Sequence, residues 1–382
     1  MEKNYTALGL MSGTSMDGVD ASIIKSDGNR EYSVKLDKYF EYGEKLRQKL
    51  IDIRAKILIA DDLKASSEEI VELEREITLF HANAVNEILD TSKIEVDLIG
   101  FHGQTIFHDS KKKISKQLGD GKLLSQLTKK LVVYDFRQND LKNGGQGAPL
   151  APIFHNAMVN KYLNKELNKS YSVNILNIGG IANITETVKW EDFFRPHDKK
   201  IRASDISPGN CLIDEWVRKN SKNKFDKDGL FASNGKTDDL ILNQALENFN
   251  IDPPYEESLD VNDFDISFVK GLTLENGAST LTDFTASLIS KALTLFHSGP
   301  IAGEVWLVCG GGRKNKYLLK TIESFKKVVL HPSEKYGIDG DFVESQAFGY
   351  LAIRSFLKLP ISFPTTTGCK EPTTGGVIVK NF

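Results

Sequence analysis

Short apolar runs that alternate with glycine-rich or polar segments dominate the chain. Leu8 and Leu10 precede a Gly/Ser/Thr-rich segment, and a mainly apolar stretch at residues 19–24 follows it. Apolar runs on both sides of a turn-forming segment predict two β-strands joined by a loop. Residues 96–101 and 131–134 have the length and β-branched content of buried strands, and each run ends in a polar cluster.

Helical periodicity separates these strands. From Ser66 to Leu89, apolar residues recur at three- and four-residue spacing, which predicts a surface helix with one buried face. Ser66 and Glu69 have the spacing of a capping box at the start of this helix. Two later helices are predicted at residues 316–325 and 344–357.

The second half of the chain repeats the strand, glycine turn, strand pattern of the first half. Residues 173–184 are largely apolar and contain a glycine pair, and an apolar run at 305–308 leads into three consecutive glycines. The polar, Asn/Lys-rich residues 161–169 lie between the two patterns. We therefore predict an α/β protein of two related halves with a boundary at residues 161–169.

Composition and charge narrow the class of protein. The 382 residues include 49 Lys+Arg and 52 Asp+Glu, a net charge of −3, so charge does not favour nucleic acid or an anionic membrane as partner. Cys211, Cys309 and Cys369 fit neither a disulfide framework nor a C-x-x-C metal motif. No apolar run is long enough to span a membrane, and Asp17 follows the start too closely for a secretory signal. These features predict a cytoplasmic protein with a small-molecule partner.

Four glycine clusters at the ends of predicted strands are the main candidates for chemistry: residues 13–18, 144–147, 179–180 and 310–312. Glycine lets backbone N–H groups converge on an anion without obstruction by a Cβ atom. The chain has no Walker motif and no G-x-G-x-x-G at the start of a helix. The clusters therefore predict hairpin-like turns that bind nucleotide phosphates, although each one by itself fits an ordinary tight turn.

Hydroxyl and carboxylate groups accompany the first cluster. Ser12, Thr14, Ser15 and Asp17 are the groups that hydrogen-bond phosphate oxygens and hold a partly hydrated Mg²⁺. Asp17 is the candidate metal ligand. For both Asp17 and Asp20, an Asx-type bond that stabilises the turn is the alternative.

These motifs carry a family resemblance. Residues 9–20, with the sequence GLMSGTSMDGVD, closely resemble the opening signature of the anhydro-N-acetylmuramic acid kinases. The similarity continues through almost the whole chain, in residues 102–105, 135–137, 144–150, 177–183, 205–210, 309–312 and 367–368.

The resemblance implies a fold and an activity. The fold is that of the actin/hexokinase-like superfamily: two related α/β domains, each a mixed sheet flanked by helices, with a nucleotide cleft between them. The N-terminal domain would comprise residues 1–165, completed by 345–382, and the C-terminal domain residues 166–344. The activity uses ATP and water to open the 1,6-anhydro ring of anhydro-N-acetylmuramic acid, and gives N-acetylmuramic acid 6-phosphate and ADP in peptidoglycan recycling and amino-sugar catabolism.

The resemblance also implies roles for residues. Asp205, in the motif at 205–210, corresponds to the general base that activates water. The implied nucleotide-binding residues are Gly13, Thr14, Ser15, Met16, Asp17, Gly18, Val19, Asp20, Asn177, Gly179, Gly180, Gly310, Gly311 and Gly312. The implied sugar-binding residues are His102, Gln104, Thr105, Asn210 and Glu344. A structural bond to nearby backbone is the alternative for His102, and a helix-capping role is the alternative for Glu344.

The chain departs from the family pattern at three places. Ser207 stands where glycine is usual, and Arg313-Lys314 follows the glycines at 310–312 where smaller residues are usual. The connection at 186–200 is longer than its counterpart, and its Trp190, Phe193 and Phe194 either cover sugar or pack as a surface loop.

Other functions remain open at the level of sequence. A kinase of the same fold for another anhydrosugar, such as levoglucosan, shares the opening signature, and a chaperone-like ATPase module shares the superfamily. A glycosidase with two carboxylates would leave the glycine hairpins unexplained. The sequence does not decide the oligomeric state, for which a homodimer is one option.

Overall fold

The computed structural model of the chain describes residues 3–162, 172–188, 200–249, 258–296, 304–325 and 328–382. These residues form two compact units, each with one mixed β-sheet flanked by helices, so the predicted α/β fold class is confirmed. The described residues of unit 1 fall within 1–166, 188–201 and 342–382, and those of unit 2 within 167–187 and 202–341. Most of the predicted boundary segment, residues 163–169, lies outside the described residues.

The strands, in chain order, are β1 (Tyr5–Ser12), β2 (Gly18–Ser26), β3 (Tyr32–Glu41), β4 (Leu98–Asp109), β5 (Ile114–Leu118), β6 (Leu131–Tyr134), β7 (Ser172–Ile178), β8 (Ile181–Glu186), β9 (Arg202–Pro208), β10 (Glu304–Cys309), β11 (Leu330–Pro332) and β12 (Val377–Val379). The α-helices are α1 (Glu44–Lys56), α2 (Ala60–Ala65), α3 (Ser67–Ser92), α4 (Gly121–Thr128), α5 (Gln138–Lys142), α6 (Pro152–Tyr162), α7 (Cys211–Asn220), α8 (Leu230–Asn234), α9 (Asp239–Asn248), α10 (Leu274–Leu295), α11 (Lys316–Phe325), α12 (Val343–Phe356) and α13 (Pro364–Thr367). No helix in these parts of the chain is long and apolar enough to cross a membrane.

The two sheets share one topology. In unit 1 the order is β12-β6-β4-β1-β2-β3, with β5 paired to β4; in unit 2 it is β11-β10-β7-β8-β9. Strand β2 is antiparallel to both β1 and β3, whereas β4 is parallel to both β1 and β6. Strands β7, β8, β9, β10 and β11 repeat this arrangement strand for strand. The shared arrangement supports the prediction that the two halves are related.

Helix α12, from the C-terminal segment, packs directly on the sheet of unit 1. A Cβ atom on Gly9 of β1 would lie 1.9 Å from the carbonyl oxygen of Ser345, and one on Gly100 of β4 would lie 2.2 Å from that of Phe348. Both distances are far below van der Waals contact, so glycine at these strand positions is what allows the helix to approach the sheet. The opposite face of the sheet packs on α1 and α3.

Helix α3 matches the predicted helix, but the predicted capping box is wrong. A capping box needs a free N–H group on the N-cap residue to bond the Glu side chain. The N–H group of Ser66 instead donates to the carbonyl of Asp62 at 2.9 Å, because Ser66 also ends α2. Glu69 forms an ion pair with Lys56 at 2.9 Å. Helix α3 therefore begins directly after α2 ends, and no capping box forms at Ser66.

Four histidines of unit 1 are held neutral by burial. Burial lowers the pKa of His81 and of His155 to about 4. Burial together with the charge of Arg137 lowers the pKa of His108 to about 4 and holds that of His102 well below its usual range. In the unfolded chain these side chains titrate near pH 6.5, so the unfolded chain binds more protons than the folded one in mildly acidic solution.

We therefore predict that the thermal stability of the protein falls as the pH is lowered from 7.5 to 5.5. Each neutral buried histidine costs about 1.4 kcal/mol of stability at one pH unit below its unfolded pKa. His81→Leu removes one such site from the helix core, so its melting temperature should fall less steeply over the same range. Melting temperatures measured by calorimetry test this, and equal slopes for the variant and the wild type would contradict it.

Candidate active site

The first glycine cluster forms the turn between β1 and β2. Met16 has a left-handed backbone with φ of 53°, and its N–H group donates to the carbonyl of Gly13 at 3.2 Å. The Met16 side chain lies in the hydrophobic core of unit 1. Thr14 and Ser15 are exposed at the tip, and the Ser15 hydroxyl donates to the Asp17 carboxylate. The tip thus presents hydroxyl groups and a carboxylate on a backbone that its buried methionine anchors.

Gln104 of β4 supports this turn from inside the protein. Its Nε2 donates to the carbonyl of Gly13 at 3.0 Å, and its Oε1 accepts from the Ser12 hydroxyl at 2.6 Å. The Ser12 hydroxyl lies 2.9 Å from that of Tyr42, whose pKa burial raises, so that the tyrosine stays protonated. Gln104 is fully buried. The structure therefore uses this amide to hold the hairpin. The sugar contact that the resemblance implies for Gln104 stays a prediction.

The glycines of the first hairpin serve two different purposes. A Cβ atom on Gly18 would lie 2.3 Å from the carbonyl oxygen of Phe40, so the fold itself requires glycine there. Among the described residues, a Cβ atom on Gly13 would meet only the Ser15 hydroxyl, at 3.8 Å. Val19 is fully buried in the core. Gly13 is thus a glycine that packing within unit 1 does not demand, which is expected where a ligand approaches the backbone closely.

The surroundings of the first hairpin are electrically negative. Burial raises the pKa of Tyr39, and the charges of Asp17, Glu41 and Asp20 raise it further. Within the described residues, no three His, Cys, Asp or Glu side chains are grouped to hold a metal ion. The half-buried Asp17 carboxylate in this negative field fits Mg²⁺, which proteins commonly bind through one or two carboxylates, with phosphate and water as the other ligands.

His102 of β4 has both ring nitrogens engaged within unit 1. Its Nδ1 donates to the carbonyl of Gly103 at 2.8 Å, and its neutral Nε2 accepts from Arg137 Nη2 at 3.0 Å. The ring also packs on Phe348 at 4.4 Å between centroids. Of the two roles considered for this histidine, the geometry matches the structural one.

The prediction that the glycine cluster at 144–147 follows a strand is wrong, because this cluster follows helix α5. Asp140 of α5, almost fully buried, accepts from the N–H group of Gly147 at 2.7 Å and from the Thr367 hydroxyl at 2.6 Å. Arg137 donates to the Gly147 carbonyl at 2.8 Å. A Cβ atom on Gly145 would lie 2.1 Å from Asp140 Oδ2. Sequence reasoning missed Asp140. The one signal in the sequence is that Asp140 lies about one helical turn after Arg137.

In unit 2, the glycine pair 179–180 forms the turn between β7 and β8. The N–H groups of Gly209 and Asn210 donate to the carbonyls of Gly180 and Gly179, both at 2.8 Å. A Cβ atom on Gly209 would lie 2.2 Å from the Gly179 oxygen, so this approach requires glycine. The Asn210 amide also donates to the Gly179 carbonyl, at 3.3 Å. The start of α7 therefore holds the turn in place.

The glycines at 310–312 lie against the end of β7. Gly310 has a φ of 76°, and a Cβ atom there would lie 2.5 Å from Asn177 Oδ1. A Cβ atom on Gly312 would lie 2.3 Å from a methyl group of Ile178, whereas one on Gly311 would meet nothing within 4 Å. The structure of unit 2 thus brings Asn177, Gly179, Asn210 and the glycines 310–312 into one cluster.

Asp205 lies on β9, close in sequence to the residues that hold the glycine turn. It is 7% exposed, and its Oδ2 accepts from the N–H group of Leu259 at 2.9 Å and from the Ser258 hydroxyl at 3.2 Å. These two donors fix the rotation of the carboxylate. Ser207 is fully buried on the same strand, and its hydroxyl has no hydrogen-bond partner among the described residues. Sequence reasoning missed Ser258 and Leu259, which are far from Asp205 along the chain.

The remaining predicted residues are scattered. Thr105 accepts from the Gln117 amide at 3.2 Å between β4 and β5, and Asp20 lies within β2, opposite Met11. Glu344 is half-buried in the first turn of α12. Trp190, Phe193 and Phe194 lie outside the described residues.

Comparisons with known proteins place the chain among characterised sequences. The family model described as anhydro-N-acetylmuramic acid kinase matches residues 5–381. The chain is 53% identical to the anhydro-N-acetylmuramic acid kinase of Pelagibacter ubique over 386 aligned positions, covering 100% of both chains. It is 37% identical to the enzyme of the same name from Rhodospirillum rubrum, covering 97% of this chain and 93% of that one.

Among solved structures, component A of (R)-2-hydroxyglutaryl-CoA dehydratase from Acidaminococcus fermentans is similar, with a TM-score of 0.44 and 10% identity over 92% of this chain and 98% of that one. This similarity is too weak to carry an argument. The family model and the full-length relatives are sufficient: the chain belongs to the anhydro-N-acetylmuramic acid kinase family.

Proposed function

We propose that this chain is an ATP-dependent kinase that opens the 1,6-anhydro ring of anhydro-N-acetylmuramic acid with water and phosphorylates O6. The products are N-acetylmuramic acid 6-phosphate and ADP, as the family membership suggests for peptidoglycan recycling. The observation that carries the proposal is the buried, hydrogen-bonded carboxylate of Asp205, four residues before the Gly209 that holds the glycine turn.

The chemistry needs one general base. In the proposed reaction, Asp205 accepts a proton from water while the water oxygen bonds to the anomeric carbon of the sugar. The bond from that carbon to O6 breaks, and the electron pair leaves with O6. O6 then attacks the γ-phosphorus atom of ATP, and ADP departs. One carboxylate is sufficient because the leaving oxygen of the first step is the nucleophile of the second.

The glycine turns are the proposed phosphate-binding elements. Gly13 and Gly179 have room for a Cβ atom within the protein, which supports close approach of phosphate oxygens to their backbone. We assign the glycines 310–312 to the adenosine side. Asp17 would hold Mg²⁺, which neutralises phosphate charge when bound. Water is the co-substrate.

The reaction also suggests a compartment. Cys211, Cys309 and Cys369 form no disulfide among the described residues. Together with the need for ATP, this supports the cytoplasm as the place of the reaction.

An assay of substrate choice tests the proposal directly. ADP release coupled to an indicator enzyme should require anhydro-N-acetylmuramic acid and should be far slower with levoglucosan or with free N-acetylmuramic acid. Incorporation of ¹⁸O from labelled water at the anomeric carbon of the product would identify the hydrolytic step. Faster turnover of levoglucosan would instead favour a kinase for a different anhydrosugar, and sugar-independent ADP release would favour an ATPase module.

We predict that Asp205→Asn lowers turnover by about 10²-fold or more, because it removes the base, while ATP affinity is unchanged. Asparagine keeps an oxygen that accepts from Leu259 and Ser258, so the fold should be retained. Ser258→Ala is the matched control: it removes one of the two donors but keeps the carboxylate, and its loss of turnover should be smaller. Near wild-type turnover in Asp205→Asn would show that another group activates the water.

Alanine substitutions should separate the glycines that bind ligand from those that the fold requires. Gly13→Ala and Gly179→Ala should melt at or slightly above the wild-type temperature, because each Cβ atom has room and neither residue has positive φ. Both should weaken ATP binding by about tenfold or more, with the Michaelis constant for sugar little changed.

Gly209→Ala is the contrasting variant. Its Cβ atom would meet the Gly179 oxygen at 2.2 Å, so its melting temperature should fall. Calorimetry and isothermal titration with ATP give the two readouts. Unchanged ATP affinity in both Gly13→Ala and Gly179→Ala would remove the hairpins from the phosphate site.

A further inference from the structure

Arg313 occupies a buried position inside unit 2, directly after the glycines 310–312. Its side chain is 4% exposed. Three carboxylates surround the guanidinium: Nε lies 2.5 Å from Glu334, Nη1 lies 2.6 Å from Asp341, and Nη2 lies 3.6 Å from Asp339. Nη1 also donates to the carbonyl of Gly310 at 3.0 Å. One side chain therefore links the glycine turn to the loop of residues 333–341.

The backbone of the two segments interlocks at the same place. The N–H group of Gly310 donates to the carbonyl of Gly340 at 3.1 Å. A Cβ atom on Gly340 would lie 2.5 Å from Arg313 Nε. Glycine at position 340 is thus required for the guanidinium to reach its partners, and the bond from Gly310 fixes the turn at its left-handed residue.

Charge makes this contact a strong one. A buried guanidinium costs several kcal/mol unless it is paired and hydrogen-bonded. Burial by itself would raise the pKa of Asp341, but hydrogen bonds from Arg313 and Lys314 outweigh it and lower that pKa. The Asp341 carboxylate is consequently ionised at neutral pH. Without the guanidinium, the three acids around it would lose their common cation. Of the contacts described above, the backbone bond from Gly310 to Gly340 would be left to join the turn to the loop.

We propose that Arg313 is a positioning residue that holds the turn at 310–312 in the shape required to bind the nucleoside part of ATP. The inference rests on the proposed function, because that turn is assigned there to the adenosine side. Gly311, whose Cβ position is open, is the point of the turn that a ligand can approach.

The test is a graded series of variants measured for ATP binding by isothermal titration and for steady-state kinetics. Arg313→Ala should raise the dissociation constant and the Michaelis constant for ATP by about tenfold. Turnover at saturating ATP and the Michaelis constant for sugar should stay within about twofold of wild type, because the catalytic carboxylate is untouched. Arg313→Lys keeps the charge but not the planar guanidinium group, so its dissociation constant for ATP should lie between those of the wild type and Arg313→Ala.

Two further variants keep the test sharp. Arg218→Ala removes an exposed arginine of α7 in the same unit and is the matched control for the change of charge; it should leave ATP binding unchanged. Glu334→Gln removes one partly exposed carboxylate of the cluster and should fold even where Arg313→Ala does not. It should weaken ATP binding by about twofold to threefold.

The outcomes distinguish this inference from the proposed function. Normal ATP binding in Arg313→Ala and Glu334→Gln, with a wild-type protein that binds ATP, overturns only this clamp, the positioning of the turn by Arg313. A loss of turnover in Arg313→Ala without a change in its ATP affinity also overturns the clamp. If the wild type binds ATP but does not phosphorylate the anhydrosugar, the substrate proposal fails and the clamp is still judged by the ATP data. A wild type that binds no ATP overturns both.

Discussion

The structure depends on hydrogen bonds that hold the carbonyl groups of the glycine turns from inside each unit. In unit 1, the Gln104 amide binds the Gly13 carbonyl; in unit 2, N–H groups at the start of α7 bind the carbonyls of Gly179 and Gly180. A glycine-rich turn without such partners would sample many backbone conformations. The hydrogen bonds to these donors select one of those conformations. Each hairpin turn is thereby rigid although it consists of residues with little conformational preference.

The same constraint explains why the glycines are not equivalent. Gly18, Gly209 and Gly312 bring two parts of the protein so close that a side chain cannot fit. Cβ atoms on Gly13 and Gly179 would make ordinary van der Waals contacts, at 3.8 Å and 3.5 Å, and one on Gly311 would meet no described residue within 4 Å. The first group belongs to the framework and the second is available to a ligand. The proposed reaction uses this division, because the phosphate groups need accessible backbone on a support that does not move.

The catalytic residue proposed here depends on the same framework. Gly209 lies four positions after Asp205, directly beyond the end of the same strand, so the segment that carries the carboxylate also anchors the turn at 179–180. Donors from residues 258 and 259 orient the carboxylate. Arg313 supplies an ionic version of the same solution for the third turn: its guanidinium donates to the Gly310 carbonyl, and three carboxylates hold the guanidinium in place. In each case a buried polar contact is satisfied by a partner that is remote in sequence.

The local pattern of the sequence by itself determined the strands around both glycine turns, helix α3 and helix α11. The family motifs could also be identified without any structure. Apolar periodicity and turn residues act over a few neighbouring positions, which is why these elements were predictable. The buried helix α10 was missed, and so were the partners that define the site. Gln104 reaches Gly13 across 91 positions, and Asp140 reaches Thr367 across 227. No local pattern encodes such a pairing, because it exists only after the sheet has brought the two segments together. That Gln104 supports the turn could therefore be known only from the tertiary structure, which leaves its amide buried beneath the hairpin.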